Sequence, residues 1–309
     1  MNDAPQLLIV ADESAPWTYP VMSLASPHRR TVIVAPQDEI ETSAVEVVVG
    51  APPDLAAVIP RCPQLRWVQS TWAGIDAIAH FASETLQITP LKGVFGPAMT
   101  EYVMGWLLAI ERDVISRASH TQWTPSLEPR ITGKRLGIMG AGGIGAAIAL
   151  AAKPFGLEVI GLNSDGRAVK GFAACYPSAD RLVFAEGIDY LVSVLPQTAQ
   201  TENLIDHEVL TRLNPRAIVI NAGRGNAVVE ADLIASLNAG HLRAAVLDVF
   251  RVEPLPPDDP LWSTPGVHIT SHTAGPTPDK TVAEVFERNL KLYLAGESLA
   301  DTVVAGRGY

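Results

Sequence analysis

Three polar residues stand where apolar runs end. Arg224 lies in Asn221-Ala222-Gly223-Arg224-Gly225, behind Ala217–Ile220. Glu253 lies in Asp248-Val249-Phe250-Arg251-Val252-Glu253-Pro254, behind Ala244–Leu247, and His272 in Thr270-Ser271-His272-Thr273-Ala274-Gly275, behind Val267–Ile269. If these runs are parallel strands of one open sheet, their carboxyl ends share a crevice and the three residues meet there. The set suits a carbonyl–alcohol couple. The histidine gives or takes the proton. A carboxylate on its other ring nitrogen orients the imidazole and stabilises its charged form. The arginine grips a substrate carboxylate bidentately and polarises the adjacent carbonyl.

Such a couple needs a hydride carrier, and the chain has a place for one. Gly140-Ala141-Gly142-Gly143-Ile144-Gly145 follows the apolar run Leu136–Met139 and precedes the alanine-rich Ala146–Ala152. In that context G-x-G-x-x-G reads as a phosphate loop. Gly140 permits the tight turn, Gly142 lets a pyrophosphate approach the backbone, and Gly145 lets helix and strand pack closely. The helix N-terminus offers N–H groups and a positive dipole end to the anion. The following strand ends Gly161-Leu162-Asn163-Ser164-Asp165-Gly166-Arg167, with Asn163 at the position where an acid would bond the ribose of NAD. Asn163, Ser164 and Arg167 together suit a 2′-phosphate, so NADP(H) is favoured. If Asp165 faces the ribose instead, NAD(H) is preferred.

Both groups of residues require parallel α/β sheets. The first lobe carries strand-like runs at Leu7–Val10, Thr31–Val34, Val45–Val49, Arg66–Ser70 and Leu86–Thr89, spaced to leave room for crossover helices. A helix follows Gly96-Pro97. Thr100 or a nearby residue is a candidate cap, and Tyr102, Val103, Trp106, Leu107 and Ile110 recur at helical spacing in a pattern that extends through Val114 and Ile115 towards His120. Its apolar faces fit either a core or a subunit interface. The second lobe has runs at Arg135–Met139, Glu158–Leu162, Tyr190–Leu195, Ala217–Asn221, Ala244–Asp248 and Val267–Thr270, with helices at Gly145–Lys153 and Ala231–Ala239. An amphipathic helix over Lys280–Ala295, with Val282, Val285, Phe286, Leu290 and Leu294 on one side, returns the chain to the first lobe. The expected domains are thus 1–97 with 277–309, and 98–276. The fold class is α/β, with two doubly wound parallel-sheet lobes: one flavodoxin-like, one a Rossmann domain.

Composition narrows the partners. The 309 residues carry a net charge of −10, with 48% hydrophobic and 18% charged, too apolar for a disordered chain. The acidic balance argues against nucleic acid as a partner. The uncharged, apolar stretch Leu136–Ala152 is short for a membrane span and rich in glycine, so no membrane partner is expected. Cys62 and Cys175 have no metal-ligand spacing, so no metal is expected. No signal peptide is read at the N-terminus, and two reduced cysteines suit a cytoplasmic location.

In the order and spacing of these motifs the chain resembles the D-isomer-specific 2-hydroxyacid dehydrogenases. The motifs are Gly140–Gly145, Leu195-Pro196-Gln197-Thr198-Ala199-Gln200-Thr201, Asn221–Gly225, Leu247–Pro254, and Pro260-Leu261-Trp262 leading into Ser271–Gly275. The resemblance implies that Arg224, Glu253 and His272 are the catalytic set. It implies cofactor contacts at Gly143, Ile144, Leu195, Pro196, Thr201, Ala222, Gly223 and Ala274, with Asp248 holding the nicotinamide carboxamide. It also implies that Ser70-Thr71-Trp72-Ala73-Gly74-Ile75-Asp76 offers backbone N–H groups to the substrate, through Trp72, Ala73 and Gly74. Gly74 would allow the close approach and Trp72 could wall a small pocket.

Within the family, the stretch Asn163–Arg167 and the closing Arg307-Gly308-Tyr309 suggest the glyoxylate and hydroxypyruvate reductase type. The implied reaction is reduction of a small 2-keto acid to a D-2-hydroxy acid, with His272 as proton donor. A homodimer is also implied, and no fused regulatory domain fits the remaining length. Formate-type dehydrogenation and a dinucleotide-sensing corepressor are the alternatives.

Overall fold

The computed structural model describes residues 6–123, 125, 129–277 and 279–303; the closing Arg307-Gly308-Tyr309 lies outside them. The chain divides into two compact units. One comprises the residues up to Val94 together with those from Thr277 onward, the other Phe95–Pro276.

In the first unit, β1 (Leu7–Val10), β2 (Thr31–Val34), β3 (Val47–Gly50), β4 (Trp67–Ser70) and β5 (Gln87–Thr89) form a parallel sheet in the order β2-β1-β3-β4-β5. This is the flavodoxin-like order. The central strands read Leu-Leu-Ile-Val, Val-Val-Val-Gly and Trp-Val-Gln-Ser, and all their residues are buried. A parallel strand covered on both faces needs such a continuous run rather than alternation. Two helices, α1 (Thr18–Ala25) and α2 (Pro52–Val58), serve as crossovers. In α2 both prolines, Pro52 and Pro53, fall in the first turn, where their missing N–H groups have no partner to lose.

The second unit opens on α3 (Gly96–Glu111) and α4 (Val114–Arg117). Two expectations are corrected here. Thr100 does not cap: α3 starts earlier, with Pro97 in its first turn. The helix also does not continue to His120, because Asp113 takes a left-handed φ of 52° between α3 and α4. The sheet follows: β6 (Arg135–Met139), α5 (Gly143–Ala152), β7 (Glu158–Asn163), β8 (Ala174–Pro177), α6 (Arg181–Ala185), β9 (Tyr190–Ser193), α7 (His207–Arg212), β10 (Ala217–Asn221), α8 (Glu230–Asn238), β11 (Leu242–Leu247) and β12 (Val267–Ile269). Its order is β12-β11-β10-β9-β6-β7-β8, all parallel, the Rossmann order with one strand added beyond β11. Strand β8 had no counterpart in the sequence reading. It is a partly exposed edge strand ending in proline, which only an edge tolerates. The uncharged stretch Leu136–Ala152 resolves into β6, the glycine loop and α5. No helix among the described residues is long and apolar enough to cross a membrane.

Helix α3 is held at both ends. Near its C-terminus the carboxylate of Glu111, 1% exposed, meets Lys134 Nζ at 2.6 Å and Arg243 Nη1 at 3.2 Å. Arg243 also donates to the Ile110 carbonyl. Towards its N-terminus, Phe95 and Met99 pack at Gly275, and in its second half the Trp106 ring lies 5.2 Å from the His268 ring. The helix therefore runs antiparallel to residues 268–275.

The return helix α9 (Asp279–Ala295) belongs to the first unit. Val282, Val285, Phe286 and Leu290 are buried, and Phe286 stacks on Trp67 at 5.3 Å. Leu294, expected on the same stripe, is instead exposed. Asn289 of α9 donates to Gln69 Oε1, and Thr89 Oγ1 donates to the same oxygen. All three side chains are fully buried, so a satisfied polar network ties α9 to β4.

Candidate active site

The glycine loop does two separate jobs. Gly140 has φ +102°, and a Cβ there would lie 2.9 Å from the Val194 carbonyl oxygen. A Cβ on Gly145 would lie 2.3 Å from the Gly140 carbonyl oxygen. These two glycines close the turn and seat α5. Gly142, the N-cap of α5, and Gly143 instead face open space: a Cβ on either meets nothing within 4 Å. The result is an uncluttered backbone surface at a helix N-terminus, which fits a pyrophosphate. Ile144 sits half-buried in the first turn of α5.

At the end of β7 the structure revises one expectation. Asn163 is buried, and its side chain turns into its own loop. Nδ2 donates to the Arg167 carbonyl at 2.9 Å, while Oδ1 accepts from the Gly166 N–H at 2.6 Å and from the Asp165 N–H at 3.3 Å. Asn163 is thus the template of the turn rather than a group presented to a ligand. The exposed groups are Ser164, Asp165 and Arg167. Arg167 Nη1 lies 2.9 Å from Asp165 Oδ1. The Arg167 backbone N–H and then its guanidinium hold the Asp165 carboxyl below its usual range.

The loop after β9 closes on itself. Thr201 Oγ1 donates to the Pro196 carbonyl at 2.7 Å and accepts from the Thr198 N–H at 3.0 Å. Leu195, expected to line the cofactor site, is 6% exposed and belongs to the hydrophobic core; Pro196 remains half-exposed. A Cβ on Gly223 would lie 2.5 Å from the Leu195 nitrogen, so the loops after β9 and β10 are pressed backbone to backbone. Gly225 is tighter still: its Cβ would fall 1.9 Å from the Phe250 carbonyl carbon. Only glycine fits on either side of Arg224. Asn221 fixes the turn further, with Nδ2 donating to the Arg224 carbonyl at 3.0 Å and Oδ1 accepting from the Gly223 N–H at 3.3 Å. Ala222 lies half-buried in the same turn, and Arg224 Nη1 reaches the Gly223 carbonyl.

Strands β10, β11 and β12 are neighbours, so Arg224, Glu253 and His272 leave the same edge of the sheet. His272 Nδ1 lies 2.8 Å from Glu253 Oε2. The other oxygen, Oε1, accepts from the Phe250 N–H at 2.9 Å. A carboxylate fixed at both oxygens makes Nδ1 the hydrogen-bearing nitrogen and turns Nε2 outward. The ring is 46% exposed.

Asp248, expected at the carboxamide, is bound closely into its own chain. It is 1% exposed, and its oxygens serve the chain: Oδ1 accepts from Thr270 Oγ1 at 2.5 Å and the Thr273 N–H at 2.8 Å, Oδ2 from the Ala274 N–H at 3.0 Å. Tyr102 Oη lies 2.7 Å from Thr270 Oγ1. Burial pushes the Tyr102 hydroxyl up to about 12, which leaves it protonated and a donor at neutral pH. Thr270, Tyr102, Asn221 and the Phe250 N–H were not singled out from the sequence. A hydroxyl two residues before the histidine was the available sign for Thr270; nothing local marked Tyr102.

In the first unit, β4 ends at Ser70, whose Oγ accepts from the Trp72 N–H at 2.9 Å and donates to the Trp72 carbonyl at 3.0 Å. The Leu91 N–H donates to the same carbonyl. These bonds close the turn that carries Trp72, Ala73 and Gly74, with Trp72 42% exposed. Among the described residues no cluster of His, Cys, Asp and Glu could hold a metal ion.

Comparison with known proteins extends these observations. Residues 105–274 match the family model described as D-isomer specific 2-hydroxyacid dehydrogenase, NAD binding domain. A relative from Klebsiella pneumoniae named glyoxylate/hydroxypyruvate reductase A is 32% identical over 260 residues, 79% of this chain and 82% of the relative. Among solved structures, a D-isomer specific 2-hydroxyacid dehydrogenase from Xanthobacter autotrophicus Py2, in complex with NADPH and MES, is 30% identical. It superposes with a TM-score of 0.88 over 99% of this chain and 100% of that one. An NADPH-dependent glyoxylate/hydroxypyruvate reductase from Sinorhizobium meliloti, in complex with NADP and sulfate, is 27% identical. Its TM-score is 0.85, over 98% of this chain and 100% of that one. The flavodoxin-like and Rossmann sheets, the phosphate loop and these matches lead to one conclusion: the chain belongs to the D-isomer specific 2-hydroxyacid dehydrogenase family and is an NAD(P)-dependent enzyme.

Proposed function

We propose that the protein reduces a small 2-keto acid of the glyoxylate or hydroxypyruvate kind to the D-2-hydroxy acid, with NADPH as the favoured reductant. The observation that carries this reading is the His272–Glu253 pair, set at the same sheet edge as Arg224. The names of the Klebsiella and Sinorhizobium relatives support the substrate class, and the NADP and NADPH complexes support the cofactor. The residues suited to the cofactor are the open Gly142–Gly143 backbone, the first turn of α5, Pro196, and the exposed Ser164 and Arg167. When bound, the reduced nicotinamide supplies the hydride.

The chain's own residues do the rest. Arg224 binds the substrate carboxylate and carbonyl oxygen and polarises the carbonyl. His272 delivers the Nε2 proton to the oxygen as it becomes an alkoxide. Glu253, anchored by the Phe250 N–H, keeps the ring aimed. Within the first unit, the turn at Trp72, Ala73 and Gly74 presents the backbone N–H groups of Ala73 and Gly74, suited to a carboxylate, while the Trp72 N–H is held by Ser70 Oγ. Formate-type dehydrogenation forms no alkoxide and has no use for the His272–Glu253 pair.

The test is steady-state oxidation of NADPH and of NADH with glyoxylate, hydroxypyruvate and pyruvate. Turnover of at least one acid, faster with NADPH, is expected. Tight dinucleotide binding without turnover of any would favour a sensor. Arg167→Ala should raise the dissociation constant of NADPH about tenfold and leave that of NADH nearly unchanged, since one charge-assisted contact to the 2′-phosphate is removed. Equal losses for both cofactors would remove Arg167 from the discrimination. A homodimer belongs to the same reading, supported by exposed Val114, Ile115 and the 94% exposed Trp123. Light scattering at micromolar concentration should report twice the chain mass; a monomer contradicts it.

A further inference from the structure

His272 holds a left-handed backbone, φ +54°, a region disfavoured for any residue with a Cβ. Such a conformation persists only where its surroundings over-determine it. Here the surroundings converge on one residue. The His272 N–H donates to the Asp248 carbonyl at 2.8 Å, and the Asp248 carboxylate receives the Thr270 hydroxyl and the N–H groups of Thr273 and Ala274. Asp248 thus binds the turn on both sides of the histidine.

The carboxylate must itself be aimed, and the two backbone donors belong to the turn it holds. We propose that Tyr102 and Thr270 are positioning residues, which through Asp248 hold the His272 turn in the conformation that points its ring at Glu253. The inference rests on the role given to His272 above. Its direction follows from counting hydrogens. Thr270 has one hydroxyl hydrogen and gives it to Asp248, so the Tyr102 hydroxyl donates to Thr270. Tyr102 stands on α3, which packs at Gly275 beyond the turn and at His268 before it. The chain Tyr102→Thr270→Asp248 therefore links the His272 turn to a helix that brackets it. Neither hydroxyl needs to touch substrate or cofactor for this.

The test compares Thr270→Val, Thr270→Ser and Tyr102→Phe in the full chain. Valine keeps the shape of threonine and deletes the hydroxyl; serine keeps the hydroxyl. Thr270→Val should lower kcat for the keto acid about tenfold to a hundredfold, with KM and the NADPH dissociation constant changed less than about threefold, because a misaimed ring costs turnover rather than binding. The downfield proton resonance of His272 Nδ1, assigned by its loss in His272→Asn, should move or broaden in Thr270→Val. It should return with activity in Thr270→Ser. Tyr102→Phe, which cuts only the outer bond, should give a smaller change of the same kind and serves if the valine variant does not fold. Wild-type kcat and resonance in Thr270→Val, or equal damage in the valine and serine variants, overturns the proposal. If His272→Asn keeps its turnover, the catalytic reading fails, while the resonance still decides whether the hydroxyls position the ring.

Discussion

Replacing His272 with alanine should cost about a thousandfold in kcat, the typical scale of a lost general acid, while NADPH binding stays nearly intact. Two observations make the change clean. The ring is 46% exposed, so its removal opens no core cavity. Its one described side-chain bond is to Glu253, and Glu253 keeps its second anchor on the Phe250 N–H. The fold and the Gly140–Gly145 loop should be untouched. Single-turnover measurement at saturating NADPH separates the chemical step from cofactor release. Turnover near that of the wild type would remove His272 from the mechanism.

Arg224→Ala should act differently, raising KM and lowering kcat together, for a combined fall in kcat/KM of about a thousandfold. Two charge-assisted hydrogen bonds of about 2 kcal/mol each account for an effect of that order. The guanidinium is asked to hold the substrate carboxylate in the ground state and the carbonyl oxygen in the transition state, so both constants move. Arg224→Lys should recover little, because an ammonium cannot span two oxygens in one plane. The loop allows no compensating shift: Gly223 is pressed on Leu195 and Gly225 on Phe250. An increase in KM alone would make Arg224 a binding residue with no part in the chemical step.

The sequence disclosed much of this, and the parts it concealed have physical reasons. Central parallel strands such as Leu7–Val10 and the stretch Ala217–Ile220 of β10 are continuous apolar runs and can be read directly. Strand β8 is not such a run, since an edge strand lacks the burial that would demand one. The break at Asp113 was hidden because Val114 and Ile115 continue the helical spacing across it. Arg224, Glu253 and His272 were legible because each follows a strand. Asn163 was legible as a strand-end position but not as the template of its own turn. Asn-Ser-Asp-Gly is also a turn signature, and an asparagine there bonds its own backbone before anything else. The contact between Tyr102 and Thr270 joins residues 168 positions apart, and no local pattern reports a pairing at that range.

The carboxylate of Glu111, enclosed by Lys134 and Arg243, bears on how this protein can change. Removing either cation leaves the buried carboxylate with one partner instead of two, a loss that approaches about 3–5 kcal/mol only when both are gone. Removing Glu111 instead takes from two part-buried cations the anion they share. Each single step is therefore costly, whereas joint replacement of all three by apolar residues of similar volume can be neutral or better. The trio forms a unit of substitution: homologues should exchange it whole or keep it whole. An engineer wishing to loosen or stiffen α3 should redesign the three positions in one move.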